Sequence, residues 1–401
     1  MKKISVILVN YKNSEDTINC AKSLLNQDYP YISIVIVDNS EDKKYVEEIY
    51  HALKQETPKI TILSENESQN FQNMEFQKDI VLIEANENRG FSAGNNIGIR
   101  IALNNKADYV WILNNDSEVE KNTIVEMLNS SLQYEFPVVT CKIKNFYDRD
   151  KIQYDGDKIF YLGIEDYSDI IKIPKILSGA NLFIETKVFE KTGLLDEDFF
   201  LYFEDNHFQH KLFSNKIKYL YTPFAQIYHK SGSSIGKFYN TPLSAYYASR
   251  NSLLIEEKLK NYNYIKKLKE IKLYYRLSIN SKKILKAILL GTYDFIKGKT
   301  GRQDKLDYFI NLKPDRNNID FGQNLEELYQ QNPTNLKLNQ LLAEKYKNKP
   351  EKKIEYLFML SLFYPRKEKY YKEFFETAEY LLTNKEEKNN GKQSFSLHNQ
   401  S

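Results

Sequence analysis

The first 120 residues alternate between short continuous apolar runs and amphipathic stretches. Ile4 to Val9 and Ile32 to Val37 read as strands buried on both faces, the second ending at Asp38. Between them Ser14 or Asp16 can cap a helix through Leu25, so strand, helix and parallel strand form one crossover unit. Val81 to Glu84 and Tyr109 to Leu113 predict two more strands, the second preceded by a helix starting near Ala93. The stretch from Glu41 to Asp79 is long and polar, and reads as a helix, a short strand at Ile60 to Leu63 and a surface excursion. Further strands are expected at Leu182 to Ile184, with a helix following to Thr192, and at Ala225 to Tyr228.

Beyond Ser252 the pattern turns helical and rich in Lys and Tyr. Glu326 to Tyr329, Leu336 to Tyr346 and Ile354 to Tyr364 predict short helices broken at Pro333, Pro350 and Pro365, followed by Tyr370 to Leu382. No fixed period marks a repeat. The polar end from Lys385 to Ser401 is expected to be disordered. A chain of 401 residues is long for one core. The expected organisation is a domain over residues 1–251, a basic helical extension over 252–384 and a tail over 385–401.

Charge changes this picture in one place. The net charge is +3, but between Lys258 and Thr300 twelve Lys or Arg stand against Glu270 and Asp294, which leaves the remainder at −7. Ile265, Leu268, Ile271, Leu277, Ile284, Leu285, Ile288 and Leu289 interleave with those bases at largely helical spacing. Two readings stay open: peripheral contact with an anionic membrane through residues 258–300, or a solvated helix packed on its neighbour. Nucleic acid is not an expected partner, because Arg276 is the single arginine of that stretch and bidentate phosphate or base recognition favours arginine. Cys20 and Cys141 cannot build a disulfide framework, which fits a reducing compartment. The apolar opening is too short for a signal peptide, and no run approaches the roughly 18 apolar residues of a spanning helix. The expected location is cytoplasmic, free or peripheral at the inner face of the membrane.

Candidate chemistry begins at Asn114, Asn115 and Asp116, a polar triplet directly after the buried strand Tyr109 to Leu113. Open α/β sheets bind ligands at such strand ends, and a carboxylate there can carry a divalent cation holding phosphate oxygens. The turn from Asn10 to Asp16 has no glycine, so the dinucleotide fingerprint is missing, and no P-loop is present. What exists is the run Asn88, Arg89, Gly90, Phe91, Ser92, Ala93, Gly94, Asn95, Asn96, a glycine-containing turn entering a helix. Ser178, Gly179 and Ala180 form a small-residue turn before a strand. Glu204 and Asp205 follow an aromatic run from Phe199 to Phe203, where excluded water raises proton affinity and suits a general base. A plain helix N-terminus favours the same residues. His229 ends a strand and leads into Lys230 to Ser234.

In this order and spacing the motifs resemble the family 2 glycosyltransferases, and among them the rhamnosyltransferase-like bacterial enzymes, over roughly Ile4 to Asn251. The resemblance implies a GT-A fold, a mixed, mostly parallel sheet flanked by helices, here with a C-terminal helical extension. Asn10, Tyr11, Asp38, Asn39 and Ser40 are similar to the nucleotide contacts, and Asn88 through Asn96, with Gly94 and Asn95, to the donor loop. It implies Asn114 and Asn115 on the donor, Asp116 and His229 on a Mn²⁺ or Mg²⁺ ion, and Ser178, Gly179, Ala180 and Glu204 beside the acceptor. Asp205 would be the catalytic base, and Tyr247, Arg250 and Asn251 match a motif after the catalytic domain. The partners implied are a nucleotide-diphospho-sugar and a saccharide or lipid-linked acceptor. Two departures stand out: the triplet has a single acid, and His207 and Lys211 replace an acid and an arginine. A sugar nucleotidyltransferase would need a glycine-rich triphosphate loop that is missing, whereas a catalytically silent sugar-binding protein remains the competing reading.

Overall fold

A computed structural model describes residues 1–156, 169–230, 240–319 and 324–398, with side chains through residue 390. The chain divides into two compact units, Met1–Ile235 and Gly236–Ser401.

The first unit opens with β1 (Ile4–Asn10), α1 (Ser14–Leu25) and β2 (Ile32–Asp38), the expected crossover. Parallel pairing sets Asn10 opposite Asp38 at the strand ends. Next come α2 (Lys43–Leu53), β3 (Ile60–Ser64), α3 (Glu65–Ser68), β4 (Asp79–Glu84), α4 (Gly90–Asn104) and β5 (Tyr109–Leu113). β6 (Ser117–Val119), α5 (Thr123–Tyr134), β7 (Val138–Asn145), β8 (Ile152–Tyr154) and β9 (Asn181–Glu185) follow, then α6 (Val188–Thr192), α7 (Glu204–Ser214) and β10 (Tyr219–His229). The sheet order is β3-β4-β2-β1-β5-β9-β7-β10-β6, with β8 on β7. β3, β4, β2, β1 and β5 are mutually parallel, whereas β9 runs antiparallel to both β5 and β7. This is the mixed, mostly parallel sheet that the sequence predicts.

Continuous apolar strands are needed because each face of the sheet carries its own core. Leu8, Ile34, Ile36 and Trp111 feed one, while Ile7, Val35, Val37 and Ile112 feed the other. The chain order reverses at β1, which lies between β2 and β5, so a crevice is expected where Asn10 and the residues after Leu113 emerge.

Within the stretch from Glu41 to Asp79 the expected helix and strand are present as α2 and β3, and the remainder is more ordered than a surface excursion. β3 pairs with β4 as an edge strand, Ser64 and Glu67 form a reciprocal capping box, and Met74 and Phe76 are buried. The Met74 N–H donates to Asn105 Oδ1 at 2.9 Å, tying the segment to the end of α4. It is an integral edge of the fold and not a surface excursion.

The second unit is helical: α8 (Pro242–Lys258), α9 (Tyr264–Leu277), α10 (Lys282–Ile296), α11 (Leu306–Asn311), α12 (Leu325–Gln331), α13 (Leu336–Lys345), α14 (Pro350–Phe363) and α15 (Glu368–His398). It begins before the expected boundary at residue 251, because Tyr247, Arg250 and Asn251 all lie in α8. Arg250 is 1% exposed, donates from Nη1 to the Gly301 carbonyl at 2.6 Å, and lies over the rings of Tyr246 and Tyr247. Gly291 lets α10 cross α8 closely, since a Cβ there would stand 2.4 Å from the Tyr246 carbonyl oxygen. The tail also departs from expectation. Lys385 lies within α15, pairs with Glu257 at 2.6 Å and covers the rings of Tyr264 and Phe295.

The basic stretch is resolved in the same way. Leu268, Ile271, Leu285, Ile288 and Leu289 are core residues, so most of its apolar periodicity reports packing within the unit. Leu273, Tyr274, Leu277 and Ile279, at the end of α9 and the turn after it, remain exposed. Among the described residues no helix is long and apolar enough to cross a membrane.

Candidate active site

The crevice floor is a continuous hydrogen-bonded chain. Asn10 Nδ2 and Ser40 Oγ both donate to Asp38 Oδ1 at 2.6 Å, Thr17 Oγ1 donates to Asn10 Oδ1 at 2.8 Å, and Asn115 Nδ2 donates to Thr17 Oγ1 at 2.8 Å. Asn10 and Asp38 are buried, and burial raises the Asp38 carboxyl above its ordinary range while the bonds from Ser40 and Asn10 pull it back. The Asn10 amide and Asp38 Oδ1 are therefore already engaged, whereas Tyr11 is 48% exposed. Thr17 joins the two strand ends and was not singled out from sequence, because a threonine in the second turn of a helix carries no motif.

The run Asn88 to Asn96 makes a turn whose geometry requires glycine. Asn88 Oδ1 accepts from the Gly90 N–H at 2.9 Å, and Gly90 sits at φ +93°. The next N–H, of Phe91, donates to the Phe200 carbonyl at 2.9 Å, so this loop is docked on the backbone that leads into α7. Asn39 Nδ2 donates to the Gly90 carbonyl at 3.1 Å from the other side. Gly94 and Asn95, expected on the donor side, are instead turned into the packing of α4. A Cβ on Gly94 would meet Val9 and Asn39 at 2.9 Å, and Asn95 Nδ2 donates to the Phe91 carbonyl.

After β5, Asn114 and Asp116 converge on His229 at the end of β10. His229 Nε2 lies 3.0 Å from Asp116 Oδ1 and 3.1 Å from Asn114 Nδ2. Lys230 donates its N–H to the Asp116 carbonyl at 3.0 Å, and its ammonium pairs with Asp16. A cavity of about 380 Å³ opens beside Asp116, lined also by Lys22, Lys121, Phe146 and Lys230. Two ligands at right angles, each about 2.1 Å from an octahedral ion, stand about 3 Å apart. The Asp116 and His229 atoms stand at that spacing, which is also that of a hydrogen bond between them. Among the described residues no group of three His, Cys, Asp or Glu could hold a metal, so further ligands would have to come from a bound phosphate or water. Ser231 to Ser234 lie outside the described residues.

The small-residue turn joins this centre to the carboxylate pair. Asn114 donates its N–H to the Ala180 carbonyl at 3.0 Å, and Gly179 donates its N–H to Asp205 Oδ2 at 3.1 Å. Asp205 Oδ1 accepts from the Asn206 N–H at 2.8 Å. A Cβ on Gly179 would touch Asp205 Cβ at 3.4 Å, so the backbone lies against that carboxylate. Ser178 accepts from the Ala180 N–H through its Oγ at 3.4 Å, which shapes the turn itself. Glu204 and Asp205 occupy the first turn of α7, entered through Tyr202 and Phe203 at φ +70° and +76°. Two consecutive non-glycine residues in the left-handed region store strain of about 1–3 kcal/mol each.

Burial raises both carboxyls above their ordinary range, and the charge of Asp205 raises Glu204 further, while the Gly179 and Asn206 N–H groups hold Asp205 back. Glu204 is buried, and among the described residues its Oε2 has no hydrogen-bond partner. His207 pairs with Asp196 at 3.1 Å and Lys211 donates to the Leu194 carbonyl at 2.8 Å, so the two departures from the family pattern serve the loop before α7.

Comparison with known proteins finds relatives of the first unit. Residues 5–193 match the model of glycosyl transferase family 2. The chain is 26% identical over 216 residues to the low-salt glycan biosynthesis hexosyltransferase Agl10 of Haloferax volcanii, covering 51% of this chain and 60% of that protein. It is 25% identical over 244 residues to the dTDP-rhamnosyl transferase RfbF of Shigella flexneri, covering 55% of this chain and 79% of that one. Crystal structures of S. aureus TarS align at 14–16% identity with TM-scores of 0.42 and 0.43, the first covering 76% of this chain and 50% of TarS, the second 96% and 91% of TarS 1-349. Residues 5–193, within the first unit, form a glycosyl transferase family 2 domain.

Proposed function

We propose that the chain is an inverting, metal-assisted glycosyltransferase that moves a sugar from a nucleotide-diphospho-sugar to a hydroxyl of a glycan or lipid-linked saccharide, in the synthesis of a surface polysaccharide, lipopolysaccharide or capsule. One observation carries this reading: the turn Ser178 to Ala180 is hydrogen-bonded at once to Asn114, beside Asp116 and His229, and to Asp205. A site for a phosphorylated leaving group and a base for an incoming hydroxyl are thereby fixed to one backbone segment.

In this mechanism Asp205 takes the proton of the acceptor hydroxyl as its oxygen bonds to the anomeric carbon. The bond from that carbon to the diphosphate oxygen breaks on the opposite face, which inverts the configuration. A carboxyl raised by burial is better matched to that proton than an exposed one. Glu204, held toward its neutral form, orients the acceptor or Asp205. Asn115 faces the donor, held from behind by Thr17, Asn10 and Asp38; the exposed Tyr11 follows Asn10 in sequence, and Lys230 adds positive charge beside Asp116. A divalent cation held by Asp116 and His229 would neutralise the departing diphosphate.

The test is a thermal-shift screen of UDP-, GDP- and dTDP-sugars with and without Mn²⁺, followed by an assay for nucleoside diphosphate release. A donor that raises the melting temperature and is turned over supports the proposal. Binding without release under any acceptor favours the silent sugar-binding reading.

A membrane contact has narrower support than the whole basic stretch suggested. Leu273, Tyr274, Leu277 and Ile279 are exposed, and Lys269, Arg276, Lys282 and Lys283 around them are exposed as well. An apolar tip among bases suits an anionic bilayer at the inner face of a membrane. Leu273→Glu with Leu277→Glu should abolish co-sedimentation with anionic vesicles at low salt; no sedimentation of the unaltered chain would remove this reading.

A further inference from the structure

His229 is held by a residue that no motif marks. Gln153, in β8, is 5% exposed; its Nε2 donates to the His229 carbonyl at 3.0 Å, and its Oε1 stands 3.2 Å from His229 Nδ1. A backbone carbonyl only accepts, so the amide nitrogen must lie on that side and the amide oxygen must face the ring. That oxygen only accepts in turn, so Nδ1 carries the proton. In its neutral form the ring then offers an Nε2 lone pair to Asn114 Nδ2 at 3.1 Å and, at 3.0 Å, to the Asp116 carboxylate. A lone pair facing a carboxylate is repulsive unless a proton or a metal ion lies between them, and above the histidine range a metal ion is the one that can persist there.

We propose that Gln153 is the positioning residue that fixes the Nδ1–H tautomer of His229, turning Nε2 into a ligand for a divalent cation shared with Asp116. The proposal rests on the reading of Asp116 and His229 as a cation pair, but the tautomer itself does not. Histidine-binding groups of this kind orient the ring and set its tautomer, and removing one weakens metal affinity by roughly 10- to 100-fold. A glutamine in a three-residue strand would otherwise be an unremarkable buried amide.

The experiment uses the full chain labelled with nitrogen-15 in its 5 histidines, with His229 assigned by its absence in His229→Asn. Long-range proton–nitrogen correlation at about pH 8.5, above the ordinary histidine range, should report the Nδ1–H tautomer in the metal-free chain. Gln153→Met should give a mixture or the other tautomer. Mn²⁺ binding, read by electron paramagnetic resonance with and without pyrophosphate, should weaken at least about 10-fold in that variant. The Nε2–H form in the unaltered chain overturns the proposal even if the variant fails to fold, and so does an unchanged Mn²⁺ affinity in Gln153→Met. The expected tautomer in a chain that binds no Mn²⁺ overturns the cation half, and the metal assistance with it, while leaving glycosyl transfer to be judged by the donor screen.

Discussion

Gly90→Ala tests whether the donor-side loop and the carboxylate helix are mechanically one piece. The Gly90 backbone is at φ +93°, and a Cβ there would stand 2.1 Å from the Phe200 carbonyl oxygen and 2.8 Å from its C and Cα. None of these atoms is the end of a flexible side chain, so the Phe200 backbone has to retreat by about an ångström to restore ordinary contact. That retreat breaks the bond from the Phe91 N–H to the Phe200 carbonyl, now 2.9 Å long. Losing a buried backbone bond costs about 1–3 kcal/mol, and the unfavourable φ adds about 1–3 kcal/mol. A total near 4 kcal/mol lowers the melting temperature of a domain of this size by roughly 8–16 °C. Gly193→Ala is the control: its φ is +64° but a Cβ would meet nothing within 4 Å among the described residues, so only the conformational part applies. Differential scanning calorimetry of both variants measures the difference. If Gly90→Ala melts within about 2 °C of Gly193→Ala, the loop is not braced against Phe200 and the reasoning fails.

Other substitutions probe separate parts of the site. Glu204 has its proton affinity raised in the folded chain, so as pH rises above the ordinary value of 4.5 the unfolded chain releases its proton first and stability is lost. Glu204→Gln should therefore be no more stable than the parent below that value and increasingly more stable above it; a stability difference that is flat with pH contradicts this. Thr17→Val deletes both bonds that link Asn10 to Asn115, and should cost about 1–3 kcal/mol in urea unfolding while weakening donor binding. Unchanged stability and donor affinity together would show that the crevice floor does not depend on that link.

What could be read from the chain follows from what is local. β1, β2 and β5 were legible because buried parallel strands are apolar without interruption, and Asn114 to Asp116 because polar residues abruptly end one of them. The pairings that make the site were hidden in distance along the chain: Gln153 meets His229 76 positions away, and Asn115 meets Thr17 98 positions away. In the segment from Glu41 to Asp79 the helix and the strand at Ile60 to Leu63 were legible, but the anchoring of the remainder was not, because Met74 and Phe76 stand isolated among polar residues. The basic stretch shows a different limit. Helical periodicity reports that one face is apolar, but not whether protein or lipid covers it, and for α10 the cover is the unit's own core. Gly94 illustrates the same ambiguity for glycine, whose missing side chain serves helix packing against Val9 as readily as ligand approach.

Asp205→Asn is the most direct measurement of the central claim. Asparagine can keep one acceptor toward the Gly179 N–H, so the turn and the donor side should survive. With a donor identified by thermal shift, the variant should bind it within a few-fold of the parent affinity, while transfer to the acceptor falls by about 10²–10⁴-fold. Transfer at the parental rate with binding intact would contradict Asp205 as the base, and with it the account of this crevice as a site of glycosyl transfer.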